Sequence, residues 1–191
     1  MHRSKVSNVG PGENILERTL QAAKQDVETV KDGAPIAPMI DGLVFRDLVT
    51  HRDDRGSVTE FFDPRWDWHP DPLVFCYHFS IRPGLVKGWG LHKLHEDRYL
   101  VIDGEMEVVM FDPRPESSTC GHICRVVLSA ATPRLMNVPK FVWHADHNIG
   151  EGTCRVVNFP TIQYNHENPD KYRLPLDTDL IPFDFGAATG W

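Results

Sequence analysis

From Leu43 onward the chain is a succession of short runs rich in Val, Ile, Phe and Tyr, cut by Asp-Gly, Pro-Gly and Asp-Pro pairs. This pattern constrains the fold more than any other feature. Such runs between turn formers are strands, and many in series close into a sandwich or barrel. The expected strands are 43–48, 57–62, 73–82, 99–102, 105–111, 123–128, 134–138 and 153–159. Between Ile102 and Glu105 stands Asp103-Gly104, which predicts a tight primed hairpin turn with positive φ at both central residues.

The segment ahead of the strands follows a different period. Residues 14–31, NILERTLQAAKQDVETVK, place Ile15, Leu16, Leu20, Ala23, Val27 and Val30 at helical spacing, and Asp32-Gly33-Ala34-Pro35 ends the run. The chain therefore divides into a helical extension over 1–40 and one β domain over 41–191, a length suited to a single core.

A net charge of −7 argues against nucleic acid, which needs clustered Lys and Arg. The apolar runs are too short to span a membrane, and the polar N-terminus has no apolar leader core; the expectation is a cytoplasmic protein. Local arginines can still hold a diphosphate within an acidic chain. The cysteines, Cys76, Cys120, Cys124 and Cys154, form no CxxC pair. Cys120 and Cys124, spaced C-x3-C, lack the second pair that a zinc site needs, so reduced thiols are expected.

Chemistry concentrates in two places. The stretch GLHKLHEDRYLVIDG, Gly90 to Gly104, sets His92, His95, Glu96 and Asp97 at the mouth of the hairpin, and PKFVWHADHN, Pro139 to Asn148, carries His144, Asp146 and His147. Imidazoles beside carboxylates serve proton transfer or metal binding. The two stretches resemble the two motifs of the cupin superfamily. His92 matches the second histidine of the first motif, Asp97 stands for its glutamate, and His144 matches the histidine of the second motif. Gly90 occupies the place of the first histidine.

A more specific resemblance runs from Asp41 to Phe185, to the dTDP-4-dehydrorhamnose 3,5-epimerase family. Asp53-Asp54-Arg55-Gly56-Ser57-Val58-Thr59-Glu60-Phe61-Phe62 is similar to its D-x-R-G-x-F-x-E-x-F opening, and Gly90-Leu91-His92 to its R-G-L-H. Asp112-Pro113-Arg114-Pro115-Glu116-Ser117 is similar to D-x-R-x-x-S, Pro139 to His144 to P-x-G-F-A-H, and Asp177-Thr178-Asp179-Leu180 to N-D-P-x-L. The resemblance implies an all-β cupin-type barrel, jelly-roll-like, acting as a homodimer on a nucleotide sugar in carbohydrate biosynthesis, with no cofactor required. It implies that a base removes the proton beside a 4-keto group: His92, with Asp177 as its partner. Tyr164 is the expected acid. Arg55 is the implied diphosphate anchor, and Glu60, His78, Trp89 and His144 complete the expected substrate-binding set. Glu60 is included because it shares a strand face with Val58 and Phe62, where a carboxylate must find a partner.

The chain also departs from the family. Asp97 stands where the family has its enolate-stabilising lysine, Asn158 where it has its acid tyrosine, and Trp89 where an arginine precedes G-L-H. Lysine to aspartate removes a cation and adds a metal ligand, so a divalent ion held by His92, Asp97 and His144 is the alternative expectation. A metal-dependent cupin such as a dioxygenase or lyase, acting on a small polar substrate, and a non-catalytic cupin that binds a sugar or nucleotide are the competing functions.

Overall fold

The structure, a computed structural model, describes residues 15–23 and 38–190. The chain divides into two compact units, residues 1–36 and 37–191. In the first, the expected helix is described as α1, Ile15–Ala22; residues 14 and 24–31 of the expected span lie outside the described residues.

The second unit is built of strands: β1 Phe45–Asp47, β2 Thr50–Asp53, β3 Gly56–Thr59, β4 Tyr77–Ile81, β5 Leu85–Leu91, β6 Asp97–Asp103 and β7 Glu105–Phe111. There follow β8 Ile123–Ser129, β9 Arg134–Val138, β10 Trp143–Asn148, β11 Cys154–Asn158, and the two-residue β12 Tyr172–Arg173 and β13 Thr189–Gly190. One sheet has the order β1-β9-β6-β11-β4 and the other β12-β5-β10-β7-β8, with β13 on β5; β2 and β3 form a separate hairpin. Apart from β13 on β5, neighbouring strands run antiparallel. This is the all-β, double-sheet barrel expected from the strand pattern, of the cupin type that the resemblance implies.

Alternation places the core. Along β7, Met106, Val108 and Met110 point between the sheets and meet Tyr99 and Val101 of β6, Val126 and Leu128 of β8, and Val156 of β11. Burial of each such side chain contributes about 1.5–3 kcal/mol. The opposite face of the second sheet is covered too: Val86, Trp89, Val109 and Ala145 pack beneath Ile181, Phe183 and Phe185. Leu100, Leu135 and Phe159 pack with Trp66 and Trp68 outside the first sheet.

The β6–β7 turn departs from the expected primed form. Only Gly104 has positive φ, at 77°, and Asp103 stays in strand conformation. A Cβ at Gly104 would lie 3.1 Å from Cys154 Cα, so glycine is required for space as well as for φ. At the far end of the second motif, Phe141 takes φ 62°, in the position of the glycine of P-x-G-F-A-H. Its amide donates to the His92 carbonyl at 2.8 Å, which ties this loop to the end of β5.

The motif Asp112-Pro-Arg-Pro-Glu-Ser is structural. The fully buried Asp112 carboxylate accepts from Arg114 Nη2 at 2.8 Å, Ser117 Oγ at 2.6 Å and Thr119 Oγ1 at 2.7 Å. Burial opposes its charge, but these donors hold the carboxyl well below the usual carboxylate range. Among the described residues no helix is long and apolar enough to cross a membrane.

Candidate active site

A cavity of about 310 Å³ opens at one end of the barrel, between β4, β5, β6, β10 and the 160–173 segment. Why it opens there follows from the inward positions. Gly88 and Gly90 of β5 supply no side chain, and the register between β10 and β5 shifts between His144 and Asp146, so that Lys87 also borders the cavity. A Cβ at Gly90 would meet His144 Nε2 at 3.5 Å, so glycine keeps space open beside that imidazole.

Asp97 is the centre of the site. It opens β6 and is 3% exposed. Its Oδ2 lies 3.2 Å from His92 Nε2 and 3.6 Å from His144 Nε2, and its Oδ1 lies 3.6 Å from His95 Nε2. Asn158 Nδ2 donates to Oδ1 at 2.7 Å and the Tyr99 hydroxyl to Oδ2 at 3.1 Å. Burial raises the Asp97 pKa, but the hydrogen bonds and charges of the surrounding histidines win, and it lies well below the ordinary value. Arg98, the next residue, faces the other way. Only 1% exposed, it donates to the carbonyls of Phe159 at 2.6 Å, Asp71 at 2.7 Å and Pro72 at 2.9 Å. It clamps two segments flanking the cavity and takes no part in an ion pair with Asp97.

His92 follows β5 directly. Its Nδ1 bonds the backbone carbonyl of Asp170, so Nδ1 is the donor and Nε2 faces Asp97. Burial opposes protonation of His92, but the hydrogen bond and charge of Asp97 outweigh it and raise the pKa above 6.5. The Asp170 carboxylate braces the same loop: it accepts from the amides of Lys93 at 2.9 Å and Leu94 at 2.7 Å and from His95 Nδ1 at 2.9 Å. His144 is neutral, its pKa lowered to about 4 by burial and then by the His92 charge.

Asp146 shares the inward face of β10 with His144 and also borders the cavity. It is 5% exposed, and its Oδ1 has no hydrogen-bond partner among the described residues. Burial, and then the charge of Asp97, raise its pKa to about 7. Lys87, Lys171 and Arg173 add positive charge around the cavity, whose aromatic walls include Phe75, Tyr77, Phe79 and Tyr164. The Tyr77 hydroxyl accepts from Asn158 Nδ2 at 2.9 Å.

The sequence-derived site residues divide accordingly. His92, Asp97 and His144 converge, and Tyr164 lies on the wall, its ring 6.5 Å from that of Phe75 in a stacked arrangement. The others lie elsewhere. Asp177 is exposed and does not border the cavity; the aspartates against His92 are Asp97 and Asp170. Trp89 is fully buried on the outer face of β5, edge-on to Phe183, because Gly88 and Gly90 take the inward positions. His78 is exposed, whereas its neighbours Tyr77 and Phe79 face the cavity. Arg55 sits at the tip of the β2–β3 hairpin, 85% exposed and paired with Asp53. Glu60 is exposed beyond β3, not buried among Val58 and Phe62 as its spacing predicts. Tyr77 and Asp170 escape the sequence reading, and Asp146, noted there beside His144, is given no role in it, although two residues after His144 in a strand it has to share its face.

Fold and site together define a cupin-type barrel with a histidine- and carboxylate-lined cavity at one end. No protein-family model matches the chain. It is 31% identical over 151 residues to the probable low-salt glycan biosynthesis epimerase Agl13 of Haloferax volcanii, covering 78% of this chain and 97% of that protein. It is 30% identical over 155 residues to the spore coat polysaccharide biosynthesis protein SpsL of Bacillus subtilis, covering 78% and 98% respectively. A solved dTDP sugar isomerase from Desulfovibrio desulfuricans superposes with a TM-score of 0.72 at 25% identity, over 80% of this chain and 97% of that one. At 18% identity, the dTDP-4-dehydrorhamnose 3,5-epimerase of Bacillus anthracis, solved with TDP and PPi bound, shares the fold with a TM-score of 0.68, over 78% and 89%. The chain belongs to the dTDP-4-dehydrorhamnose 3,5-epimerase family, as a divergent member.

Proposed function

We propose that the protein is an epimerase or ketoisomerase of a nucleotide-linked 4-keto sugar, of the dTDP type, and that it works by removing the proton on a carbon beside the ketone. The observation that carries this reading is His92. Its Nδ1 is fixed by the Asp170 carbonyl, and its Nε2 stands at the cavity beside a buried carboxylate. A base so oriented needs no redox cofactor for this reaction.

The lost lysine and tyrosine have functional substitutes in the same cavity. Lys87, Lys171 and Arg173 supply the positive field for an enolate and for the diphosphate. Tyr77 brings a phenol to Asn158, the position of the family tyrosine, at 2.9 Å; burial drives its pKa upward and keeps the proton available. We assign the returning acid to Tyr77, with Tyr164, the other phenol on the wall, stacking against the ligand and serving as the second candidate. The homodimer belongs to the same reading: Arg55, exposed at its hairpin tip, serves the diphosphate in the partner subunit's cavity.

The test is solvent deuterium incorporation. Incubation in heavy water with a dTDP-4-keto-6-deoxy sugar is expected to label the carbon beside the ketone, read by NMR. No label across several such sugars removes the proposal.

A further inference from the structure

The carboxylates that border the cavity are not treated alike. Asp97 accepts from Asn158 Nδ2 at 2.7 Å and from the Tyr99 hydroxyl at 3.1 Å, and Asp170 accepts from the amides of Lys93 and Leu94 and from His95 Nδ1. Asp146 is 5% exposed, and its Oδ1 meets no donor among the described residues. Burying an acceptor without a donor is costly. Such a local violation is retained where a site needs the group for its ligand.

Position decides which part of a ligand meets it. Asp146 follows His144 by two residues on β10, so it shares the inward face and lies about 7 Å further along the strand. That direction leads into the barrel: Asp146 pairs with Val108 of the core, and Asn148, two residues on, is fully buried with its Nδ2 on the Ile81 carbonyl at 2.7 Å. His92 lies near His144, their rings 5.4 Å apart. A step of about 7 Å along a strand is roughly the span of a hexose ring with its hydroxyls. A sugar whose reacting carbon sits at His92 therefore turns the rest of its ring toward Asp146.

The surrounding charge decides what kind of donor fits. Lys87, Lys171 and Arg173 border the same cavity, and the charges of Lys87 and Arg173 act on Asp146. The ammonium of an amino sugar would stand against those three cations, whereas a hydroxyl is neutral. A hydroxyl also suits the carboxyl in either protonation state, because each state keeps an acceptor.

We infer that Asp146 determines sugar specificity: its Oδ1 accepts a hydrogen bond from one ring hydroxyl of the sugar, so that the protein selects sugars carrying that hydroxyl over their deoxy analogues. The inference rests on the nucleotide-sugar reading of the cavity. An analogue without the hydroxyl leaves the buried oxygen unmet, and discrimination of this kind is steep.

The experiment measures binding of dTDP-4-keto-6-deoxyglucose, its 2-deoxy and 3-deoxy analogues and dTDP alone to the wild-type full chain and to Asp146→Ala. One deoxy analogue is expected to bind the wild type at least about a hundredfold more weakly than the parent sugar, and this gap to shrink below about fivefold in Asp146→Ala. The variant is expected to bind dTDP as the wild type does and, without ligand, to melt no lower, since it loses an unmet buried carboxyl. The wild-type gap is read without any variant, and its absence for both analogues overturns the inference. So does a gap of equal size in the two proteins, or a variant that melts lower and loses affinity equally for every ligand, dTDP included. Failure of every sugar to bind removes the nucleotide-sugar reading and this inference with it. Discrimination that depends on Asp146, without deuterium exchange into the bound sugar, upholds the inference and counts against the epimerase reading alone.

Discussion

The two ends of the barrel solve opposite problems with the same strands. On β6, Val101 joins Met106, Val108 and Val156 in a dry core, while Asp97, four residues earlier on the same face, meets three histidines. Tyr99 lies between them and serves both, its ring in the core and its hydroxyl on Asp97 at 3.1 Å. The dry end contributes stability through area. At the cavity end burial is a cost that Asp97 and His92 offset through the partners named above, and among the described residues the one buried carboxylate oxygen without a hydrogen-bond partner is on Asp146, which borders the cavity. The converging histidines and carboxylates therefore lie at the end where the sequence exchanges apolar side chains for glycine, histidine and aspartate.

The sharpest way to break this contrast is to place at the dry end what the other end tolerates. Val108→Asp puts a carboxylate among methionine and valine side chains and directly across the strand pair from the buried Asp146 carboxyl, and is expected to cost more than about 4 kcal/mol and leave the chain unfolded in a thermal melt. Arg98→Ala removes the clamp between segments 71–72 and 159–160. It is expected to lower stability by about 3 kcal/mol in urea titration, since several hydrogen bonds from a charged donor are lost. Tyr77→Phe leaves the fold intact and is expected to slow turnover about a hundredfold with little change in KM, the scale of a lost general acid.

The pH profile has a defined direction. A base acts only when unprotonated, and His92 is raised above 6.5, so exchange in metal-free protein is expected to climb with pH through an apparent pKa above that value. The same shift makes the His92–Asp97 pair a stability contribution that is present below the unfolded histidine pKa, as long as Asp97 stays ionised. It is lost as pH rises through the folded one. A melting temperature independent of pH between about pH 6 and 9, roughly the window of a raised histidine titration, would show that the pair contributes no stability.

What could be read in the sequence follows the same division. Strands feeding the dry core are apolar runs between turn formers: 105–111 and 134–138 coincide with β7 and β9. The strands β5, LVKGWGL, and β10, WHADHN, carry no such run because glycine, lysine, histidine and aspartate take their cavity-facing positions, and both are missing from the expected strands. Motif spacing leads to His92, Asp97 and His144, which the fold brings to one cavity. It leads also to His78 and Asp177, which lie outside that cavity. The first is a one-residue error of strand face, which is all that separates an exposed side chain from Tyr77 and Phe79 in the cavity. The second lies in an irregular segment, where no period indicates that Asp170, seven residues earlier, is the one folded against His92.

The most direct measurement of the central claim is deuterium exchange into a dTDP-4-keto-6-deoxy sugar by chelator-treated wild-type protein and by His92→Asn. The account predicts exchange in the wild type and a loss of about a thousandfold in the variant with its melting temperature retained. Equal exchange by the two proteins would contradict it.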